Sequence, residues 1–178
     1  MENQEILELL TLIATIFIGV VGFGFTFYQI HRSNQVKQAE FISTLLDHIR
    51  FNERVMNAVY IIDYNSNWYN EKFHGSGEME KNIDAFFSVI DYVCYLFNRK
   101  LLSKKDFLIF KYEVLRICNN YQCQCYLWNL YHWAKRNHTK CSFNNLIEFL
   151  KSQFTAEEID QFESDVELKK SYKKYLNF

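Results

Sequence analysis

Leu9 to Ile30 is a run of 22 residues without a charged side chain. Wound as an α-helix at ~1.5 Å per residue it measures roughly 33 Å, enough to cross a hydrocarbon layer of about 30 Å. A soluble core helix of that length carries a polar stripe. Here only Thr11, Thr15, Thr26, Tyr28 and Gln29 are polar. A cleaved export signal begins with basic residues and ends, after a shorter apolar stretch, at a small-x-small site. This head instead holds Glu2, Glu5 and Glu8 with no Lys or Arg, and it exits through Phe27, Tyr28, Gln29, Ile30 and His31. The run predicts an uncleaved transmembrane helix, with residues 1–31 as the anchor and 32–178 as a second domain.

Basic residues flanking a span set its direction, because they stay on the cytoplasmic side. None precedes the run, whereas Arg32 and Lys37 follow it closely. The expected topology is N-terminus outside and residues 32–178 in the cytoplasm, with Tyr28, Arg32 and Lys37 at the membrane interface. Within the span, Thr15, Gly19, Gly22 and Thr26 recur at steps of four, three and four. They share one helix face that continues to Gln29 and Ser33. Phe17, Phe23, Phe25 and Phe27 lie mostly elsewhere, and Gly24 falls off the face. Small faces let helices approach closely in lipid, where no hydrophobic force drives association. The face is therefore a candidate seam for self-association or for a partner's helix. The competing explanation is a chance stripe, since Gly and Thr are common in membrane helices and no strict G-x-x-x-G is present.

Beyond the anchor the chain has no proline, and no glycine after Gly77. The favoured hairpin turns need residues at positive φ, usually Gly, Asn or Asp, and without Gly or Pro punctuation a many-stranded β fold is not expected. Aromatic residues make up 18% of the chain, ample material for a helical core. The expectation is all-α: one membrane helix followed by a cytoplasmic bundle of five to six helices. The span leads into a stretch with near-3.6 periodicity through Val36, Phe41/Ile42, Leu45/Leu46, Ile49, Val55/Met56 and Val59/Tyr60. "DYNSNWYNEKFHGSGEME" breaks it, with Ser76 or Gly77 capping the next helix, which carries Ile83, Phe86/Phe87, Ile90, Val93/Cys94 and Phe97. Ser103 with Asp106 reads as a capping box with Asp in place of Glu, opening a stretch to about Arg136 that has a candidate break at Asn119-Asn120. Ser142 starts a shorter helix. Thr155 with Glu158 opens the last one, with Ile159, Phe162 and Val166 inward and Lys169, Lys170, Lys173 and Lys174 at its basic end.

Net charge is −1, and the three acids of the head leave 18 of the 21 for residues 31–178, against all 20 Lys and Arg. That balance gives no field for nucleic-acid binding. The five cysteines are an odd number in an expected reducing compartment, so a disulfide framework is not expected. Cys118, Cys123 and Cys125 with His132, His138 and Cys141 invite a zinc hypothesis. They contain no C-x-x-C knuckle and spread around a helix, so buried free thiols are the preferred reading. No H-E-x-x-H, phosphate loop, nucleophile elbow or Arg-then-His pair of the HEPN ribonucleases occurs. Trp128 or Trp133 beside Lys135 and Arg136, and the C-terminal lysines, are candidate headgroup contacts; packing between helices and a solvated helix end are the preferred readings.

"FTFYQIHRSNQVKQAEFISTLL", "MNAVYIIDYN" and "IDAFFSVIDYVCYLFNRKLLSKKDFLIFKYEVLRI" resemble a family of small bacterial and phage proteins of unknown function. In that family a single N-terminal span precedes a helical cytoplasmic domain. A related pattern occurs in proteins described as phage abortive-infection or defence components. The resemblance covers roughly residues 15 to 150 and carries no catalytic residues. It implies a bacterial inner-membrane protein from a mobile or defence locus. The expected function is a non-enzymatic, membrane-tethered interaction module, with the bilayer and a protein partner or second copy as partners, no nucleic acid and no cofactor. The alternative is a membrane-anchored enzyme directed at nucleotides or nucleic acid.

Overall fold

A computed structural model describes residues 2–70, 72–75 and 77–164. The regular structure among them is helical throughout: α1 Glu2–Phe51, α2 Glu53–Tyr64, α3 Glu78–Asn98, α4 Lys104–Cys118, α5 Tyr121–Arg136, α6 Asn144–Ser152 and α7 Ala156–Glu163. The chain divides between Thr44 and Leu45 into two compact units. Ser76, Val166 and the lysines at 169, 170, 173 and 174 lie outside the described residues.

The first unit is the bulk of α1. The apolar run and the periodic stretch after it form one unbroken helix as far as Phe51. The border expected at residue 31 marks where the apolar surface ends, and the helix continues through it.

The second unit begins in the last turns of α1, where Leu45 and Ile49 are buried. The periodic stretch does not run on to Tyr60 as one helix. Asn52 interrupts it, in an extended conformation, and its side-chain oxygen accepts from the backbone N–H groups of Arg54 and Val55 to open α2. α3 is the central element, packing against α2, α4 and α6. Its inward residues Ile83, Phe86, Phe87, Ile90 and Val93 are fully buried. The spacing of those residues is the helical repeat seen in the sequence.

Local signals account for most helix starts. Ser103 caps α4 by accepting from Asp106 N at 3.2 Å, and its hydroxyl donates to the Asp106 carboxylate at 2.6 Å. The break at Asn119-Asn120 is present, with Asn120 capping α5 through Cys123 N. Thr155 and Glu158 form a full capping box on α7. α6 starts after Phe143 rather than at Ser142, and Phe143, like Gly77 before α3, offers no side-chain cap. Asp91 of α3 does the work from a distance, accepting from Leu146 N at 2.8 Å and from the Asn145 amide at 2.9 Å. A carboxylate at a helix N-terminus satisfies free N–H groups and complements the dipole.

Helix ends are closed without glycine. Lys100 and His138 sit at positive φ (58° and 53°) after α3 and α5. Leu101 N then returns to Leu96 O, and Thr139 N to Ala134 O, both at 2.9 Å. These are left-handed closures of the kind glycine usually makes.

Candidate functional site

The exposed face of α1 is the first candidate. Thr15, Gly19, Gly22 and Thr26 fall within about 40° of one direction on a helix turning 100° per residue, and Gly24 is diametrically opposite. All four are exposed. A Cβ added at Gly19 or Gly22 would meet no heavy atom within 4 Å. The two hydroxyls are satisfied within the helix, Thr15 Oγ1 donating to Thr11 O at 2.8 Å and Thr26 Oγ1 to Gly22 O at 2.9 Å. Hydroxyls bonded back to their own helix leave no orphan donor, which suits an apolar surrounding. The face is consequently smooth and free of polar demand, and packing alone would hold a second helix against it. Tyr28, Arg32 and Lys37 are exposed on the same helix, and one turn along the His31 ring lies 3.1 Å from the Gln35 amide.

Among the described residues one helix is long and apolar enough to cross a membrane. It lies within Leu10–Phe51, with a window of mean hydropathy 2.2, none of it buried. A water-soluble surface of that kind would be an aggregation hazard.

The second candidate is a polar network in the second unit, built around the segment between α2 and α3. Its Asn, Ser and Gly content reads as a loop, but Trp68 and Tyr69 are fully buried and Phe73 nearly so. Their rings meet Tyr126 of α5 at centroid distances of 6.2, 5.3 and 5.1 Å. Asn129 of α5 donates from Nδ2 to the Tyr69 hydroxyl at 2.8 Å. That hydroxyl lies 3.3 Å from His74 Nε2, and His74 Nδ1 lies 2.9 Å from Glu80 of α3. The other Glu80 oxygen accepts from Gly75 N, where φ is +141°, a conformation suited to glycine. Alongside, Tyr126 donates to Asp84 at 2.6 Å. Burial raises the Asp84 carboxyl above its ordinary value, although the Tyr126 bond acts the other way. Burial also pushes the Tyr126 phenol well up, reinforced by the Asp84 charge.

A carboxylate–imidazole–phenol chain is a familiar catalytic arrangement, but its phenol end, Tyr69, has no exposed surface. A general base must reach its substrate's proton. The chain therefore acts as a clasp that fixes the aromatic segment to α3 and α5. Sequence reasoning missed it; the signal was the cluster of Trp68, Tyr69, Phe73 and His74 inside text otherwise rich in Asn and Ser.

The remaining candidates are dispersed. All five cysteines are free and buried. Burial raises the Cys118 thiol to about 12 and pushes those of Cys94, Cys123 and Cys141 up as well. Among the described residues no three His, Cys, Asp or Glu side chains are grouped to hold a metal ion. His132 is buried, and its Nε2 lies 2.9 Å from Phe162 O, a carbonyl that only accepts; the ring therefore donates there and ties α5 to α7. Trp128 is buried rather than presented to solvent, so it is not available to rest on headgroups. No family model, curated protein or solved structure matches the chain.

Proposed function

We propose that the chain is a membrane-tethered helical interaction module. In this reading α1 crosses a bacterial inner membrane once, N-terminus outside, and residues 32–178 meet a protein partner on the cytoplasmic side. The Thr15, Gly19, Gly22 and Thr26 face packs against the span of a second copy or of a partner. The observation that carries the reading is the apolar part of α1, fully exposed at a mean hydropathy of 2.2, a surface that lipid covers and water does not. The asymmetry of Arg32 and Lys37 against a head without basic residues supports the direction.

The resemblance to abortive-infection components extends the proposal to an accessory or effector of anti-phage defence. Assembly of the domains would bring spans together and perturb the bilayer. One span cannot line a pore, so this version requires oligomers or a partner helix. The test is Gly19→Leu plus Gly22→Leu in the full chain, read by crosslinking in membranes and by growth and membrane potential on expression. Two leucines on an open face exclude a close neighbour. The expected result is a lower crosslinked yield with loss of any effect on potential. An unchanged yield rejects the seam.

A further inference from the structure

We infer that the corner formed by the end of α3 and the start of α4 is a second membrane contact, a docking surface for a bilayer that carries anionic headgroups. α4 buries Phe107, Phe110, Val114 and Ile117 against the rest of its unit. Its opposite face should then be polar. Instead it presents Leu108, Ile109 and Tyr112, 61%, 47% and 68% exposed, and the preceding turn adds Leu101 at 65%. These residues are surrounded by the exposed amines of Lys100, Lys104, Lys105 and Lys111. Among the described residues no carboxylate pairs with those four lysines. The nearby acids are engaged elsewhere, Asp106 by the Ser103 hydroxyl and Glu113 by Arg116.

Beside this face an open cleft of about 490 Å³ runs between α3, α4 and α6. Phe97, Phe107 and Phe149 form its floor, with ring centroids 4.1 to 6.3 Å apart, and Lys104 and Lys111 line it together with Leu108. An apolar floor with two lysines on its lining matches an acyl chain beneath a phosphate. Lysine stems lie along apolar surface while their heads reach the headgroup layer. Basic, apolar-faced helices bind in the interfacial plane for the same reason, and anionic lipid strengthens the contact. Charge complementarity therefore selects the occupant, an anionic lipid surface. The inference rests on the proposed function in one respect, that this unit faces the anionic cytoplasmic leaflet.

The experiment places a polarity-sensitive fluorophore on Leu108→Cys in the full chain, the native thiols being buried. The labelled protein is reconstituted with vesicles of phosphatidylcholine alone and of phosphatidylcholine with phosphatidylglycerol. The expected result is flotation with both, but blue-shifted emission only on the anionic vesicles, reversed by high salt. Each lysine near such a surface is worth roughly five-fold in partitioning at low salt. Lys104→Glu, Lys105→Glu and Lys111→Glu together should thus lower the docked population on the order of a hundred-fold or more. Water-like emission on both vesicles with flotation intact overturns the docking surface and leaves the anchor standing. Equal blue shifts on both vesicles also overturn it, because charge would then play no part. Flotation with anionic vesicles alone, abolished by the charge reversals, supports docking while refuting the anchor.

Discussion

Tyr69→Phe removes a single oxygen from the centre of the clasp between α3, α5 and the segment joining α2 to α3. Its cost follows from what that oxygen serves. Asn129 has no exposed surface, its Oδ1 has no hydrogen-bond partner, and its Nδ2 donates at 2.8 Å to the Tyr69 hydroxyl. Without the hydroxyl the amide is stranded at both ends, and the His74 ring loses a neighbour 3.3 Å away. Stranding a buried polar group costs about 1–3 kcal/mol. For a chain of this size that is a fall in Tm of roughly 2–12 °C. Adding Asn129→Leu replaces the stranded amide by an apolar side chain of similar size, and most of the loss should return, since removing both partners is far cheaper than removing one. The assay is denaturant unfolding of the full chain in detergent, followed by tryptophan fluorescence, for which the buried Trp68 is an adjacent reporter. A coupling of about 0.5–3 kcal/mol between the two sites is expected. If the double variant is the least stable of the set, with the two losses simply adding, the clasp is refuted.

Two further outcomes follow from burial. Asp84 has a folded-state pKa raised above its ordinary 3.8 by desolvation, so its contribution to stability is full below the unfolded value and is lost as pH rises through the folded one. Asp84→Asn keeps an acceptor for Tyr126, and thermal melts across pH should show the variant gaining on the parent chain as pH rises from below 3.8; a constant or shrinking difference refutes this. The thiols of Cys94, Cys118, Cys123, Cys125 and Cys141 are all buried, so mass spectrometry after brief alkylation near pH 8 should find none modified in the native chain and five in denaturant. Rapid native labelling of any one contradicts the packing described.

How much of this was legible in the sequence depended on the range of the interaction. Ser103, Asn120 and Thr155 cap helices through groups three residues away, so short text contains the whole cap. The periodic burial of α3 was legible for the same reason. Asp91 capping α6 spans more than fifty residues of chain, and no local pattern announces it. The segment around Trp68 was legible as the break between α2 and α3, but its Asn and Ser residues gave no sign that three aromatic side chains within it are buried. Likewise Asn52 broke a hydrophobic repeat that continues through it, because a cap needs only one side chain. Leu108 and Tyr112 had passed as ordinary helix text; only α4's buried face shows that they point away from the core. On α1, helical spacing was sufficient to bring Thr15, Gly19, Gly22 and Thr26 to one side. Spacing alone does not say what covers that side.

In the topology we propose, α1 anchors the chain across a membrane with the helical domain inside. It is tested most directly by cysteine accessibility in right-side-out and inverted membrane vesicles. Gln4→Cys and Lys81→Cys place exposed thiols on either side of the apolar run, one near the start of α1 and the other in α3. With a membrane-impermeant maleimide, Gln4→Cys should label in right-side-out vesicles only and Lys81→Cys in inverted vesicles only. Labelling of both sites from the same side, or recovery of the chain in the wash after carbonate treatment, would contradict the account.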